Sequence, residues 1–138
     1  MSPHSEVPDD ILDRLRSVCL ALPETGEEPA WTGTRWTIRT KNFAHAVQIE
    51  SGWPAAYAEV AETDGPCTVV TFRCPIAEVD AYRHAGRPFF VPVWFPNIVG
   101  MIIDEQTNWD ELAECLTESY RELAPKKLTD QLEAPRGG

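Results

Sequence analysis

The stretch from Arg35 to Glu50, RWTIRTKNFAHAVQIE, decides how this chain reads. Trp36 and Ile38 alternate with Arg35, Thr37, Arg39 and Lys41, the period-two pattern of a half-buried strand. Phe43 to Glu50 alternates again, with Phe43, Val47 and Ile49 on one side. Lys41-Asn42 lies between the two runs, and Asn tolerates the left-handed backbone of a tight turn. The pattern predicts a β-hairpin turning at Lys41-Asn42, with Arg35, Arg39 and Lys41 on the same side of one strand. From Pro29 to Ile49 the chain has no acid, so this sheet edge carries a local charge of +3. Such cations either discourage edge-to-edge pairing or form an anion-recognising patch.

Toward the N-terminus, Asp9 to Leu22 spaces Ile11, Leu12, Leu15, Val18, Cys19 and Leu22 along one helical stripe. Asp9 and Asp10 offer an N-cap and suit the helix dipole, and Pro23 stops the helix. Toward the C-terminus, Ser51 to Pro66 holds Gly52, Pro54, Gly65 and Pro66 and reads as a connection, with Ala55 to Val60 open to a strand or a turn of helix. Cys67 to Cys74 is rich in β-branched residues and predicts a strand. Pro75 starts a short helix that ends at Gly86. Asn97 to Asp104, apolar on both faces, predicts a central strand. Asn108 and Glu111 form a capping pair for a helix carrying Trp109, Leu112, Ala113, Leu116, Tyr120 and Leu123. Lys126 to Gly138 adds a helical turn or two before a frayed Pro-Gly end, and His4 falls in a flexible N-terminus.

The 138 residues suit one core, and 43% hydrophobic residues suffice to build it. We therefore expect a single domain over residues 1–138, with its core at about 9–128. The net charge of −10 opposes long-range attraction to phosphate backbones and anionic membranes. No run approaches the length of a spanning helix, and the first residues lack the basic start of a leader, so a cytoplasmic protein without membrane association is expected. Cys19, Cys67, Cys74 and Cys115 show no ligand-like spacing and are expected to be reduced packing residues.

Phosphate-loop, dinucleotide, nucleophile-elbow and zinc-helix motifs are all missing. No catalytic residue, metal ligand or cofactor is assigned. The acids Glu24, Glu27, Glu28, Asp104 and Glu105 read as solvated caps. Asp9, Asp10 and Asp13 are explained by the start of a helix. What stands out is Pro88 to Pro96, PFFVPVWFP, which is uncharged, aromatic and interrupted by three prolines that disfavour helix and central strand. Such a loop either plugs the core or lines an apolar pocket. The pocket reading places Phe89, Phe90, Trp94 and Phe95 on one wall and Trp31 or Trp36 opposite. Arg35 or His45 then supplies a polar contact to a planar aromatic guest.

The ordered set Leu22-Pro23-Glu24, Glu27 to Trp31, Thr34 to Val47, Thr71 to Pro75, Asn108 to Leu112, Ser119-Tyr120 and Ala124 to Leu128 resembles the MmcQ/YjbR family. The resemblance implies an α+β fold, an antiparallel sheet backed by N- and C-terminal helices, in a two-layer sandwich similar to frataxin and CyaY. The family's label implies DNA binding, and with the common catalytic signatures missing a non-enzymatic binding domain is expected. Here that role would rest on Arg35, Arg39, Lys41, Arg73, Lys126 and Lys127. Many members resemble one another in a Lys- and His-containing segment before the last strand, whereas this chain has the uncharged Val91 to Pro96. The expected partners are thus DNA, through weak and salt-dependent contacts, or an aromatic small molecule at the proline-rich loop.

Overall fold

The structure, a computed structural model, describes residues 6–133. Its elements are α1 (Asp9–Cys19), β1 (Thr25–Pro29), β2 (Thr34–Ile38), β3 (Lys41–Ile49), α2 (Ala55–Ala61), β4 (Cys67–Arg73), α3 (Ile76–Ala85), β5 (Phe89–Phe90), β6 (Ile98–Ile103), α4 (Trp109–Leu123) and α5 (Lys126–Glu133). His4 and the Pro-Gly end lie outside the described residues. The strands form one sheet in the order β1-β2-β3-β4-β6-β5, and all the pairings are antiparallel. This is the α+β architecture expected, with helices packed on the sheet.

The two long helices share one face. Leu15 and Cys19 of α1 and Leu112, Leu116 and Tyr120 of α4 are buried in one cluster with Trp36, Ile38, Phe43, Val70, Phe72 and Met101. The Tyr120 and Phe43 rings meet edge to face at 5.7 Å, a geometry worth about 1 kcal/mol beyond burial. Asn108 caps α4 as expected, accepting from the Glu111 amide at 3.1 Å. On α1 the N-cap is instead Pro8, which makes no side-chain bond, while Asp9 and Asp10 lie in the first turn and act through the dipole.

The hairpin differs from the expectation in three ways. Its turn is Arg39-Thr40, with Arg39 at φ 59°, and Lys41 already pairs with Ile38 in β3. Arg35, Arg39 and Lys41 therefore do not share one side of one strand. Second, the register shifts so that Trp36 faces Ala44 and Thr37 faces Asn42, leaving Phe43 as a bulged residue. The bulge turns Phe43 to the helix face, while Val47 and Ile49 point to the other face and join Tyr57, Ala58, Val69, Phe90 and Ile102. Third, β2 is not an edge, because β1 pairs along it from Thr25↔Ile38 to Pro29↔Thr34.

The acids Glu24, Glu27 and Glu28 are thus exposed as expected, but they lie beside or within β1 and pair with arginines rather than capping a helix. Glu24 pairs with Arg39 at 3.2 Å and Glu28 with Arg35 at 2.6 Å. Glu27 takes Arg16 through both oxygens at 2.9 Å and also accepts the Trp36 indole N–H at 2.8 Å. Arg16 holds the Glu27 carboxyl below its usual range, and the Trp36 bond adds to this against the effect of burial.

Ala55–Ala61 forms a helix, α2, on the second face, and Phe89–Phe90 forms a short edge strand despite the flanking prolines. Phe90 lies over Gly100, where an added Cβ would overlap its ring, so any side chain there would have to displace Phe90. Strand β6 sits between β4 and this short edge. The four cysteines are free thiols, and among the described residues no helix is long and apolar enough to cross a membrane.

Candidate functional site

A single cross-strand row runs over the second face: Arg35, His45, Thr71, Gly100 and Phe90 are successive register partners. Helix α2 covers one end of this face through Tyr57, Ala58 and Ala61. Beyond it, a hollow of about 180 Å³ opens between β3, β4 and the loop before β6. Its lining includes His45, Tyr57, Thr71, Arg73, Trp94 and Phe95.

Backbone geometry explains how these side chains meet. Period two along β4 turns Thr71 and Arg73 to this face, and the bulge at Phe43 restores His45 to it. The loop around Pro92 and Pro96 then brings Trp94 against Tyr57, ring centroids 4.7 Å apart, and Phe95 near the Arg73 guanidinium, 5.7 Å from its ring centroid.

His45 has a defined tautomer. The Thr32 carbonyl oxygen can only accept, so His45 Nε2 donates to it at 2.8 Å and Nδ1 accepts from the Tyr57 hydroxyl at 3.2 Å. Burial pushes the imidazole below its ordinary pKa, and Arg35 adds to that effect against the Thr32 bond. Burial pushes the Tyr57 hydroxyl up to about 12. The pair is therefore neutral near pH 7 and orders one wall of the hollow.

Arg73 is held differently. Its Nε donates to the Asn42 carbonyl at 3.4 Å and its Nη1 to the Asn97 side-chain oxygen at 3.3 Å, both long for such bonds. Its backbone is fixed firmly: the Arg73 amide donates to Ser119 Oγ at 2.7 Å, and that hydroxyl donates to the Phe43 carbonyl at 2.5 Å. One buried serine of α4 thus ties together two strands that line the hollow.

Of the aromatic residues proposed from sequence, the structure brings Trp94, Phe95 and His45 together. Phe90 is packed over Gly100, and Phe89 packs on Tyr82 with centroids 4.8 Å apart. Trp36 is fully buried on the helix face and cannot form the opposite wall. Trp31 is 72% exposed, stacks edge to face on Trp53 at 5.7 Å and borders a separate hollow with Val7 and Leu12. Of the cations, Arg35, Arg39 and Lys126 are ion-paired, the last with Asp130 at 3.1 Å. Lys41 and Lys127 are exposed, and Arg73 joins the aromatic hollow. Sequence reasoning missed Tyr57, because its segment carries turn residues on both sides, and Thr71 and Asn42, because only strand register brings them to the site. Among the described residues no group of three His, Cys, Asp or Glu is placed to hold a metal ion.

No curated protein matches this chain. Among solved structures it is similar to the crystal structure of Deinococcus radiodurans protein DR2400, a DUF419 domain, at 19% identity and a TM-score of 0.63, over 92% of this chain and 93% of that one. At that identity the likeness is one of fold. The sequence model of the YjbR family matches residues 20–122, from the end of α1 through nearly all of α4, and the chain belongs to the YjbR family.

Proposed function

We propose that this YjbR domain is a non-enzymatic binding protein that takes a planar aromatic small molecule in the hollow beside Trp94. One observation carries the reading. Of the four aromatic rings in the proline-rich loop, Phe89 and Phe90 are largely packed away, whereas Trp94 and Phe95 remain 37% and 56% exposed at the mouth of a concave site. Large rings held open to water at a hollow mark binding sites more often than packing errors. A volume of about 180 Å³ suits one ring, since an apolar cavity of roughly 150 Å³ takes benzene. Prolines on both sides stiffen the loop and lower the entropy lost on binding.

DNA binding draws less support. Arg35, Arg39 and Lys126 would have to leave carboxylate partners to reach phosphates, in a chain of net charge −10.

The test is a panel of planar aromatic compounds, neutral and anionic, followed by tryptophan fluorescence and thermal shift. At least one is expected to bind, with the effect abolished in Trp94→Ala while that variant keeps its thermal midpoint within a few degrees. If no ring compound binds, or binding survives Trp94→Ala, the reading fails.

A further inference from the structure

Among the described residues the lining of the hollow contains no Asp or Glu, in a chain with 22 acids and 12 Lys and Arg. It does contain one guanidinium. Arg16, Arg35, Arg39, Arg83 and Arg121 all have carboxylate partners. Arg73, like Arg14 over the Trp109 ring and Arg87 on the Ala61 carbonyl, has none among the described residues; it alone of these three lines the hollow as described, its two polar contacts are the long bonds to neutral oxygens of Asn42 and Asn97, and its Nη2 has no protein partner there. A partly buried cation left without a counter-charge, in so acidic a molecule, calls for an anion from outside.

We infer that the guest of this hollow carries a carboxylate, and that Arg73 reads it: the ligand is a small aryl monocarboxylate, its ring against Trp94 and its charged end on the guanidinium. This deepens the reading of the same hollow as a ligand site and rests on it. Three features select this chemistry. The hollow of about 180 Å³ leaves little room beyond one ring and a flat substituent. A carboxylate matches the planar fork of a guanidinium and can replace the weak bond from Nη1 to Asn97. Among the described residues Arg73 is the only Lys or Arg lining the hollow, so one negative charge is neutralised there, whereas a phosphate dianion would keep a surplus charge within a protein of net charge −10.

The neighbours fit the same assignment. The Tyr57 hydroxyl spends its proton on His45 Nδ1 and can otherwise only accept, so it suits a donor on the ring rather than the carboxylate. The anion is therefore directed to the Arg73 end. Ser119, which holds the Arg73 backbone, keeps that end in register.

The experiment compares benzoate, benzamide and phenyl phosphate by calorimetric titration against the full chain and its Arg73→Gln and Arg73→Lys variants. Benzoate is expected to bind roughly tenfold or more tighter than benzamide, as a charge-assisted pair at a partly buried site requires. Arg73→Gln should erase that preference while leaving benzamide affinity in place, and Arg73→Lys should retain part of it. Equal affinity for benzoate and benzamide, or a preference that survives Arg73→Gln, overturns the assignment while the aromatic site stands. Tighter binding of phenyl phosphate overturns the carboxylate. Absence of binding by all three overturns it, and whether the broader aromatic panel then yields a Trp94-dependent binder decides the site separately. If Arg73→Gln fails to fold, the benzoate to benzamide ratio on the parent and on Arg73→Lys still decides.

Discussion

His45 shows how much one residue can report. Its ring lies between the Thr32 carbonyl, the Tyr57 hydroxyl and Arg35 across the strand pair, and among the described residues no carboxylate lines the hollow it faces. Burial lowers its pKa below the ordinary 6.5, so the unfolded chain binds the proton more readily than the folded one. The stability it contributes is complete above about pH 6.5 and is lost as the pH falls from there through the folded-state value. The thermal midpoint of the parent should therefore drop as the pH falls below about 6.5, and His45→Gln should flatten that segment of the profile. An unchanged slope in the variant would show that the ring does not stay neutral on folding. Cys19 and Cys115 show the passive counterpart: burial pushes both thiols up, as suits packing residues rather than nucleophiles.

At the scale of elements, the joint between α1 and α4 carries the helix layer. Leu15 and Leu116 are fully buried in the same cluster, and the Arg14 guanidinium sits 4.2 Å from the Trp109 ring centroid at the outer end of that joint. Placing a carboxylate at either leucine buries an unpaired charge. Leu15→Asp and Leu116→Asp should each lose roughly 3 kcal/mol or more in chemical denaturation, and a variant that unfolds like the parent would remove that helix from the core. The second face is built with less: a short helix, a two-residue strand and a loop whose large side chains are only half covered. That difference leaves room for a ligand on the second face.

For the whole molecule, charge placement bears on whether nucleic acid can be a partner. Cations that look like a basic edge in one dimension are neutralised in three by β1, whose neighbourhood supplies Glu24 and Glu28 to Arg39 and Arg35. Duplex binding should accordingly be negligible at physiological salt. A plot of log K against log salt with a slope of roughly −3, losing about 0.9 for each of Arg35, Arg39 and Lys41 replaced by Ala, would restore the nucleic-acid reading.

The sequence by itself determined the two helical stripes, the hairpin, the strand at 67–73, the cap at Asn108 and the family, because each depends on spacing within a few residues or on ordered short segments. It also named Trp94, Phe95 and Arg73 among its candidate site residues, although it assigned the ring residues and the cation to different partners. Only the tertiary structure decided that they share one hollow, that Phe43 turns away from Val47, and that β1 exists at all. A bulge is a mismatch between two strands, and an ion pair needs a register as well as two residues; neither is present in the local period of one segment. The α2 helix was hidden for a related reason: seven residues are too few to establish a stripe, and it holds its place through packing on Val47, Ile49 and Val69.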